Sequence, residues 1–348
     1  MQVEHPSPGG IPLSITAIGG IILAVKKGCA MAYEPPFQRN DAIDTLCMEI
    51  AEFIGMISPQ APLLKSPTLH RELRIKTIHS SLMIEGNKLD ERTVTAILDG
   101  KRVLGDRRDV LEVANAKRAY DLIFELDPYS IDALLSAHRT MMEGLIPDAG
   151  RFRNGNVGVF DGDSLVHTGT PATYVPEVMT NIFTWLRETG MHPLLASSVF
   201  HFEFEFCHPF SDGNGRVGRM WHTLLLSRWR PMLAWLPIES AIRRRQQDYY
   251  KAFTESEATG SPECFVQFML EAIRESILPF VSPANEKKLL QSKALDFFRE
   301  HGDSNVSQLA QHLGCSKRSA ERLVAELKEE GRLLRQGSTR SGIWVVGK

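Results

Sequence analysis

No stretch of this chain is apolar for long enough to cross a bilayer. The longest apolar run, Ile11 to Val25, is interrupted by Ser14 and Thr16 and contains Pro12, Gly19 and Gly20, whereas a spanning helix needs about 20 residues. Its positive pair, Lys26-Lys27, follows the run, and a secretory leader carries its charge in front. Neither export nor a membrane partner is expected. Cysteine is scarce too. The 5 residues, Cys29, Cys47, Cys207, Cys264 and Cys315, are odd in number and form no CxxC pair. That argues against a disulfide framework and for free thiols in a reducing, cytoplasmic compartment. Net charge is nearly absent, at −2 over 348 residues, so the overall balance singles out no partner. What remains is ordinary globular composition, 43% apolar and 24% charged, with chain enough for two or three domains and a sizeable core.

Helical periodicity fills most of that chain. Apolar spacing of three to four predicts helices over Ala42–Ile57, from about Pro67 to Leu82, then Glu91–Leu98, Asp109–Phe124, Ile131–Leu145, Val178–Thr189, Pro193–Phe206, Trp221–Trp229, Arg243–Phe253 and Cys264–Leu278. Residues 1–30 read differently, and Met31 is expected to lie nearer the biological start, after a disordered or spurious extension. Two β-like runs, Asn156–Phe160 and Leu165–Thr168, flank Asp161-Gly162-Asp163 as a hairpin. Standing alone in a helical chain, it reads as a marginally stable surface ornament. His138 reads as a packed structural histidine. The run His201 to His208 holds ligand-type residues but no recognised zinc spacing, and His201 is expected to pack under the following turn.

That turn, His208-Pro209-Phe210-Ser211-Asp212-Gly213-Asn214-Gly215-Arg216-Val217-Gly218-Arg219, puts a candidate base, a candidate metal ligand, a glycine-rich turn and two guanidiniums between two helices. Gly213 and Gly215 permit backbone geometry and close approach that let N–H groups opening the next helix point at an anion. Arg216 and Arg219, three apart, lie on one helical face and offer forks suited to phosphate. A solvated helix corner is the bland alternative for a lone Gly-Asn-Gly. Upstream, Ser81-Leu82-Met83-Ile84-Glu85-Gly86-Asn87 reads from its residues alone as a helix C-terminus, with Gly86 as left-handed cap and Glu85 solvated.

Residues 208–219 match H-x-F-x-[DE]-G-N-G-R-x-x-R at every defined position and so resemble the Fic family signature; Ser81 to Gly86 resembles that family's inhibitory motif, [ST]-x-x-x-E-[GN]. The resemblance, which spans roughly Leu73 to Leu278, implies a mainly α fold, a Fic-type helical bundle with a small β-hairpin flap. It implies transfer of AMP from ATP to a Ser, Thr or Tyr hydroxyl of a target protein, possibly the protein itself. Carried onto these positions, His208 is the general base, Asp212 holds Mg²⁺, and Gly213, Asn214 and Gly215 cradle the α-phosphate. Arg216 and Arg219 neutralise the outer phosphates, and Phe210 packs inward. Glu85, with Ser81 on the same helix, takes Arg219 away from the γ-phosphate; in some relatives the same Glu serves AMP removal. The hairpin, residues 156–168, becomes the flap that pairs with a target peptide. Relatives that phosphorylate instead carry Lys where this chain has Gly215. Tyr250, beside Tyr249, is a weaker candidate for flanking adenine, an aromatic pair being more often core.

From Glu286 onward 12 Lys plus Arg face 8 Asp plus Glu, a balance of +4 against −6 upstream. Pro279, Pro283 and Ser282 to Lys288 mark a linker. Helices over Leu289–Glu300, Val306–Leu313 and Lys317–Glu330, then strands at Leu333-Leu334 and Ile343–Val346, follow the order of a winged helix-turn-helix. Lys317, Arg318 and Arg322 sit on its candidate recognition helix and Arg340 in its wing. Such modules bind DNA or serve as dimer and protein contacts. The expected organisation is therefore an extension (1–30), an N-terminal helical region with the inhibitory helix (31–110), a catalytic core (111–280) and the tail module (286–348). The rival class is a DNA-binding regulator, reading through 306–342, whose Fic part senses nucleotide or is inactive. A homodimer is compatible with either.

Overall fold

The computed structural model describes residues 17–18, 21–22, 33–57, 62–161, 164–281, 283–313, 315–336 and 342–347. The expectation for residues 1–30 falls almost wholly outside them. The elements are β1 (Ala17–Ile18), β2 (Ile21–Ile22), α1 (Asp41–Met56), α2 (Pro62–Lys65), α3 (Pro67–Ile84), α4 (Glu91–Leu98), α5 (Arg107–Asp121), α6 (Ile131–Met142), β3 (Gly158–Asp161), β4 (Ser164–Thr168), α7 (Val175–Glu188), α8 (Pro193–Cys207), α9 (Asn214–Trp229), α10 (Ile238–Arg244), α11 (Gln246–Thr259), α12 (Glu263–Ile277), α13 (Pro283–Glu300), α14 (Val306–His312), α15 (Lys317–Glu329), β5 (Leu333–Gln336) and β6 (Ile343–Val346). The chain divides into two compact units, residues 1–51 with 60–277 and residues 52–59 with 278–348. Among the described residues no helix is long and apolar enough to cross a membrane.

At the centre of the first unit α8 packs along α9. Both are buried nearly all round, as a central helix must be, with an apolar majority packed inward: Leu194, Val199, Phe200 and Phe204 on α8, and Val217, Met220, Trp221 and Leu224 on α9. Pro193 stands in the first turn of α8, where its missing N–H costs nothing. α3 begins with the Ser66 hydroxyl accepting the Leu69 N–H at 3.2 Å and ends where Gly86 turns left-handed at φ 86, the cap its sequence foretells. The isolated hairpin forms: β3 and β4 pair antiparallel, Gly158 opposite Thr168 and Asp161 opposite Ser164, with an irregularity between Val159 and Phe160.

Several helix ends shift by two or three residues, and two segments are organised differently from expectation. The single helix expected over Arg243–Phe253 is two, since α10 stops at Arg244 and α11 starts at Gln246. Arg245, at φ −120 and ψ 36, leaves the helical region and redirects the chain. The expected linker Ser282 to Lys288 is mostly helix, because α13 begins at Pro283; proline is a helix breaker in the interior but a ready first residue.

In the second unit, α13, α14 and α15 enclose Phe298, Leu309, Ala320, Leu323, Leu327 and Leu333, with Trp344 of β6 closing the core. A reciprocal cap opens α14: Asn305 Oδ1 accepts the Gln308 N–H at 3.0 Å while Gln308 Oε1 accepts the Asn305 N–H at 2.9 Å. β5 and β6 pair antiparallel, Leu333 opposite Val346. Lys317, Arg318 and Arg322 are exposed on α15; Arg340 lies outside the described residues. Leu327 is fully buried, so Leu327→Ala is expected to cost about 2–5 kcal/mol, read as faster hydrogen exchange of the α15 amides.

Candidate active site

α8 and α9 meet at residues 208–213. His208, at the end of α8, has φ 49 and ψ 62 and is the one non-glycine residue with positive φ among those described. Such a conformation costs an L-residue about 1–2 kcal/mol and persists only where its surroundings impose it. Arg153 imposes it here. Its Nε donates to the His208 carbonyl at 2.6 Å, Nη1 to the Gly155 carbonyl at 2.8 Å, and Nη2 to the Cys207 carbonyl at 3.3 Å and to the Thr170 carbonyl. One buried guanidinium thus ties the end of α8 to the base of the hairpin, and the Thr170 N–H adds a bond to the Cys207 carbonyl at 3.3 Å. Nδ1 of His208 faces the Glu205 carbonyl at 3.3 Å. With the ring proton placed there, Nε2 carries the lone pair.

Behind the turn stands His138. Its Nδ1 accepts the Gly150 N–H at 2.9 Å, which leaves its proton on Nε2, donated to the Asp212 carbonyl at 3.0 Å. Its ring stacks on Phe210, 3.6 Å between centroids, and burial pushes its pKa down to about 4. Phe210 packs inward as expected, fully buried. Gly213 opens α9 at φ 89, and a Cβ there would stand 2.6 Å from the Met142 sulfur, so conformation and space both demand glycine. Asn214 spends its side chain on the turn, Oδ1 accepting the Phe210 N–H and Nδ2 donating to the Phe210 carbonyl, both at 2.9 Å. What Asn214 and Gly215 offer an anion is the backbone N–H of the first turn of α9, which has no acceptor within the helix.

The charged residues form two sets. Asp212 Oδ1 accepts from the Gly213 N–H at 2.6 Å and from Arg216 Nη2 at 2.7 Å, while Oδ2 faces Arg108 Nη2 at 3.1 Å. Arg216 Nη1 lies 3.2 Å from Glu112 Oε1, and Glu112 Oε2 accepts from Asn87 Nδ2 at 2.9 Å. In the second set, Arg219 is 2% exposed; its Nη2 reaches Glu85 Oε1 at 2.7 Å and the Ser81 carbonyl at 3.1 Å, and its Nε the Ser81 hydroxyl at 3.2 Å. Burial opposes the charge on Arg219, but Glu85 together with Tyr249 and Glu205 more than offsets it and raises the guanidinium's hold on its proton above the ordinary value. A Cβ on Gly215 would come within 2.5 Å of Glu85 Oε1, so glycine there makes room for the pair. The two arginines expected to act from one face therefore engage different partners.

Tyr250 is exposed on α11. Gln246 Nε2 donates to its hydroxyl at 2.9 Å and to the Ile84 carbonyl at 3.2 Å, which sets Tyr250 beside the end of α3; Tyr249 is core. His201 packs in the interior, as expected, its hydroxyl neighbour Tyr249 at 3.3 Å from Nε2 and its pKa pushed by burial down to about 3. Arg153, Glu112 and Arg108 escaped the sequence reading. For Glu112 a signal exists, a carboxylate on the same face of α5 as Val113, Ala116 and Tyr120; for Arg153 and Arg108 only tertiary proximity reveals the role.

Residues 128–226 match the model of the Fic/DOC family. The structure resembles that of a Fic family protein from Desulfovibrio desulfuricans G20, at 39% identity and a TM-score of 0.70, covering 90% of this chain and 98% of the other. Fic-1 from C. elegans shares the fold at a TM-score of 0.56 and 22% identity, over 70% of this chain and 72% of that one. Among curated relatives, protein adenylyltransferase fic-1 of Caenorhabditis elegans is 27% identical over 61% of this chain and 42% of its own length, and protein adenylyltransferase Fic of Nematostella vectensis 27% identical over 68% and 56%. The chain thus spans about half the length of the curated relatives it matches.

A neutral, buried His138 makes the turn acid-sensitive. Because its pKa falls from about 6.5 unfolded to about 4 folded, the unfolded chain takes up the proton first. Its contribution to stability is complete above pH 6.5 and drains away as pH falls toward 4. Urea denaturation at stepped pH is expected to show wild type losing about 3 kcal/mol relative to His138→Asn across that window.

Proposed function

The chain belongs to the Fic family, and from that premise we propose that it is a protein adenylyltransferase held in a restrained state by Glu85. One observation carries the reading: the turn at 208–213 presents a strained, anchored imidazole beside the N-terminus of α9, while the deepest guanidinium next to it, Arg219, is already paired with Glu85 at 2.7 Å. A site organised around a buried cation and open helix N–H groups is suited to a polyphosphate.

In the proposed reaction the hydroxyl oxygen of a Ser, Thr or Tyr on a target protein attacks the α-phosphorus of ATP. The bond to the β-phosphate breaks, pyrophosphate leaves, and His208 Nε2 takes the hydroxyl proton. Backbone N–H groups of Asn214 and Gly215 take the charge that builds on the α-phosphate. Arg216, locked between Glu112 and Asp212, and Arg219, once released, face the outer phosphates. Asp212 would suit Mg²⁺: its carboxylate is a hard oxygen donor, 35% exposed, and among the described residues no cluster of three or more His, Cys, Asp or Glu gathers to hold a metal alone, so the nucleotide's phosphates would have to supply further oxygen ligands. The cation, when bound, offsets phosphate charge. The hairpin, tied to His208 through Arg153, is the surface on which an extended target segment would pair.

Restraint follows from charge accounting. Removing Glu85 takes away the carboxylate in direct contact with the buried Arg219, leaving a costly state that an incoming phosphate relieves. Glu85→Gly is therefore expected to raise transfer of label from α-labelled ATP to protein by tenfold or more (an energy of about 1.4 kcal/mol), and His208→Ala in that background to abolish it. Label arriving from γ-labelled ATP would overturn the reaction type, and an unchanged rate in Glu85→Gly would remove the brake.

A second role for the tail rests on exposed Lys317, Arg318 and Arg322 on α15, a face that suits a DNA backbone although Glu321 lies 4.0 Å from Lys317. Gel-shift retention of duplex DNA that weakens steeply with salt, and weakens further in an Arg318→Ala, Arg322→Ala double variant, is the expected outcome; salt-insensitive or absent retention leaves a protein-contact role.

A further inference from the structure

Three arginines reach the acidic groups of the site, and only one is free to leave. Arg219 is enclosed, and the side chain of Arg216 is 4% exposed and held at both ends by Glu112 and Asp212. Arg108 differs: its side chain is 53% exposed, it sits in the first turn of α5, and its contacts are Asp212 Oδ2 at 3.1 Å and Glu112 Oε1 at 3.5 Å. The two oxygens of Asp212 are correspondingly unequal. Oδ1 is committed to the Gly213 N–H and to the buried Arg216, whereas Oδ2 is met by Arg108. A cation that takes Asp212 as ligand takes Oδ2, the position Arg108 occupies.

We propose that Arg108 is a built-in countercation for Asp212, and that a divalent metal and Arg108 compete for the same carboxylate oxygen. With Arg108 in place the three carboxylates Asp212, Glu112 and Glu85 each have a cationic partner: Asp212 with Arg108 and Arg216, Glu112 with Arg216, Glu85 with Arg219. Asp212 is therefore already countered by charge before a metal arrives. When a metal arrives with its phosphates, Arg108 loses its carboxylate, and its exposure lets the guanidinium swing away without disturbing the core. The exchange is inexpensive because an ion pair half open to water is weak, while the buried Arg216 pair stays and keeps the carboxylate oriented. Restraint then has two independent parts, Glu85 on the γ-phosphate side and Arg108 on the metal side.

The inference rests on Asp212 being the metal ligand, and its test separates the two. Mn²⁺ is titrated alone into the full chain, and free Mn²⁺ is read from its electron paramagnetic resonance signal. Four proteins are compared: wild type, Arg108→Gln, Arg108→Lys and Asp212→Asn. Glutamine keeps the helix and removes the charge. Arg108→Gln is expected to tighten the Asp212-dependent Mn²⁺ affinity about two- to fivefold, the range of an exposed pair, with Arg108→Lys nearer wild type. If Asp212→Asn removes the Mn²⁺ site while Arg108→Gln leaves affinity unchanged or weaker, the competition is overturned and the metal ligand stands. If Asp212→Asn binds Mn²⁺ as wild type does, both fall, whereas label transfer by Glu85→Gly remains a separate result. Matching thermal melts of Arg108→Gln and wild type confirm that the comparison is between folded proteins.

Discussion

A buried arginine needs a countercharge, and around Arg219 that need organises the first unit. The guanidinium sits 2% exposed between α3 and α9. Glu85 and Ser81 satisfy it from the last turns of α3. For Glu85 to arrive there, α3 must end where Gly86 turns left-handed, position 215 must lack a side chain, and α9 must begin at the turn that Gly213 opens. The same cation is what an anionic ligand would seek, so restraint and recognition draw on one charge. In the proposed restraint, a carboxylate from the end of another helix acts on the site through that one charge.

Around this pair the turn at 208–213 is overdetermined. Arg153 holds it from the hairpin side, His138 from α6, and Asn214 from within. The strain at His208 is sustained by these three braces, none of which is chemically reactive in the proposed transfer. Their effect is to hold the imidazole, the carboxylate of Asp212 and the opening N–H groups of α9 in one arrangement, so that positioning would cost little in the proposed transfer.

Legibility from the sequence followed the range of each interaction. Helices whose apolar spacing is local, such as α4, α7, α8 and α14, were readable nearly to their ends, and so were the hairpin and the Gly86 cap. Reading failed where a local rule has two meanings: Pro283 starts a helix where it was expected to mark a linker, and Arg245 breaks one where periodicity ran on. At the site, the residues of the 208–219 motif were legible because their types and offsets are themselves distinctive; Glu85 read by itself as a solvated helix end, was singled out only through the family resemblance, and is in fact paired with Arg219. Glu112, Arg108 and Arg153 were not legible, since each is an ordinary charged residue whose part depends on what lies opposite it.

The amino-acid sequence by itself determined the helical class, the position of the glycine-rich turn between α8 and α9 and the chemical kinds gathered there, because periodicity, glycine placement and residue type act over a few residues at a time. Only the tertiary structure decided which charge meets which. It placed Arg219 on Glu85, Arg216 on Glu112, and Arg108 on the second carboxylate oxygen of Asp212. The physical reason is that pairing between charges some hundred residues apart is set by the packing of α3, α5 and α9, and Coulomb attraction in a low-dielectric interior responds to ångströms, which no spacing along the chain encodes.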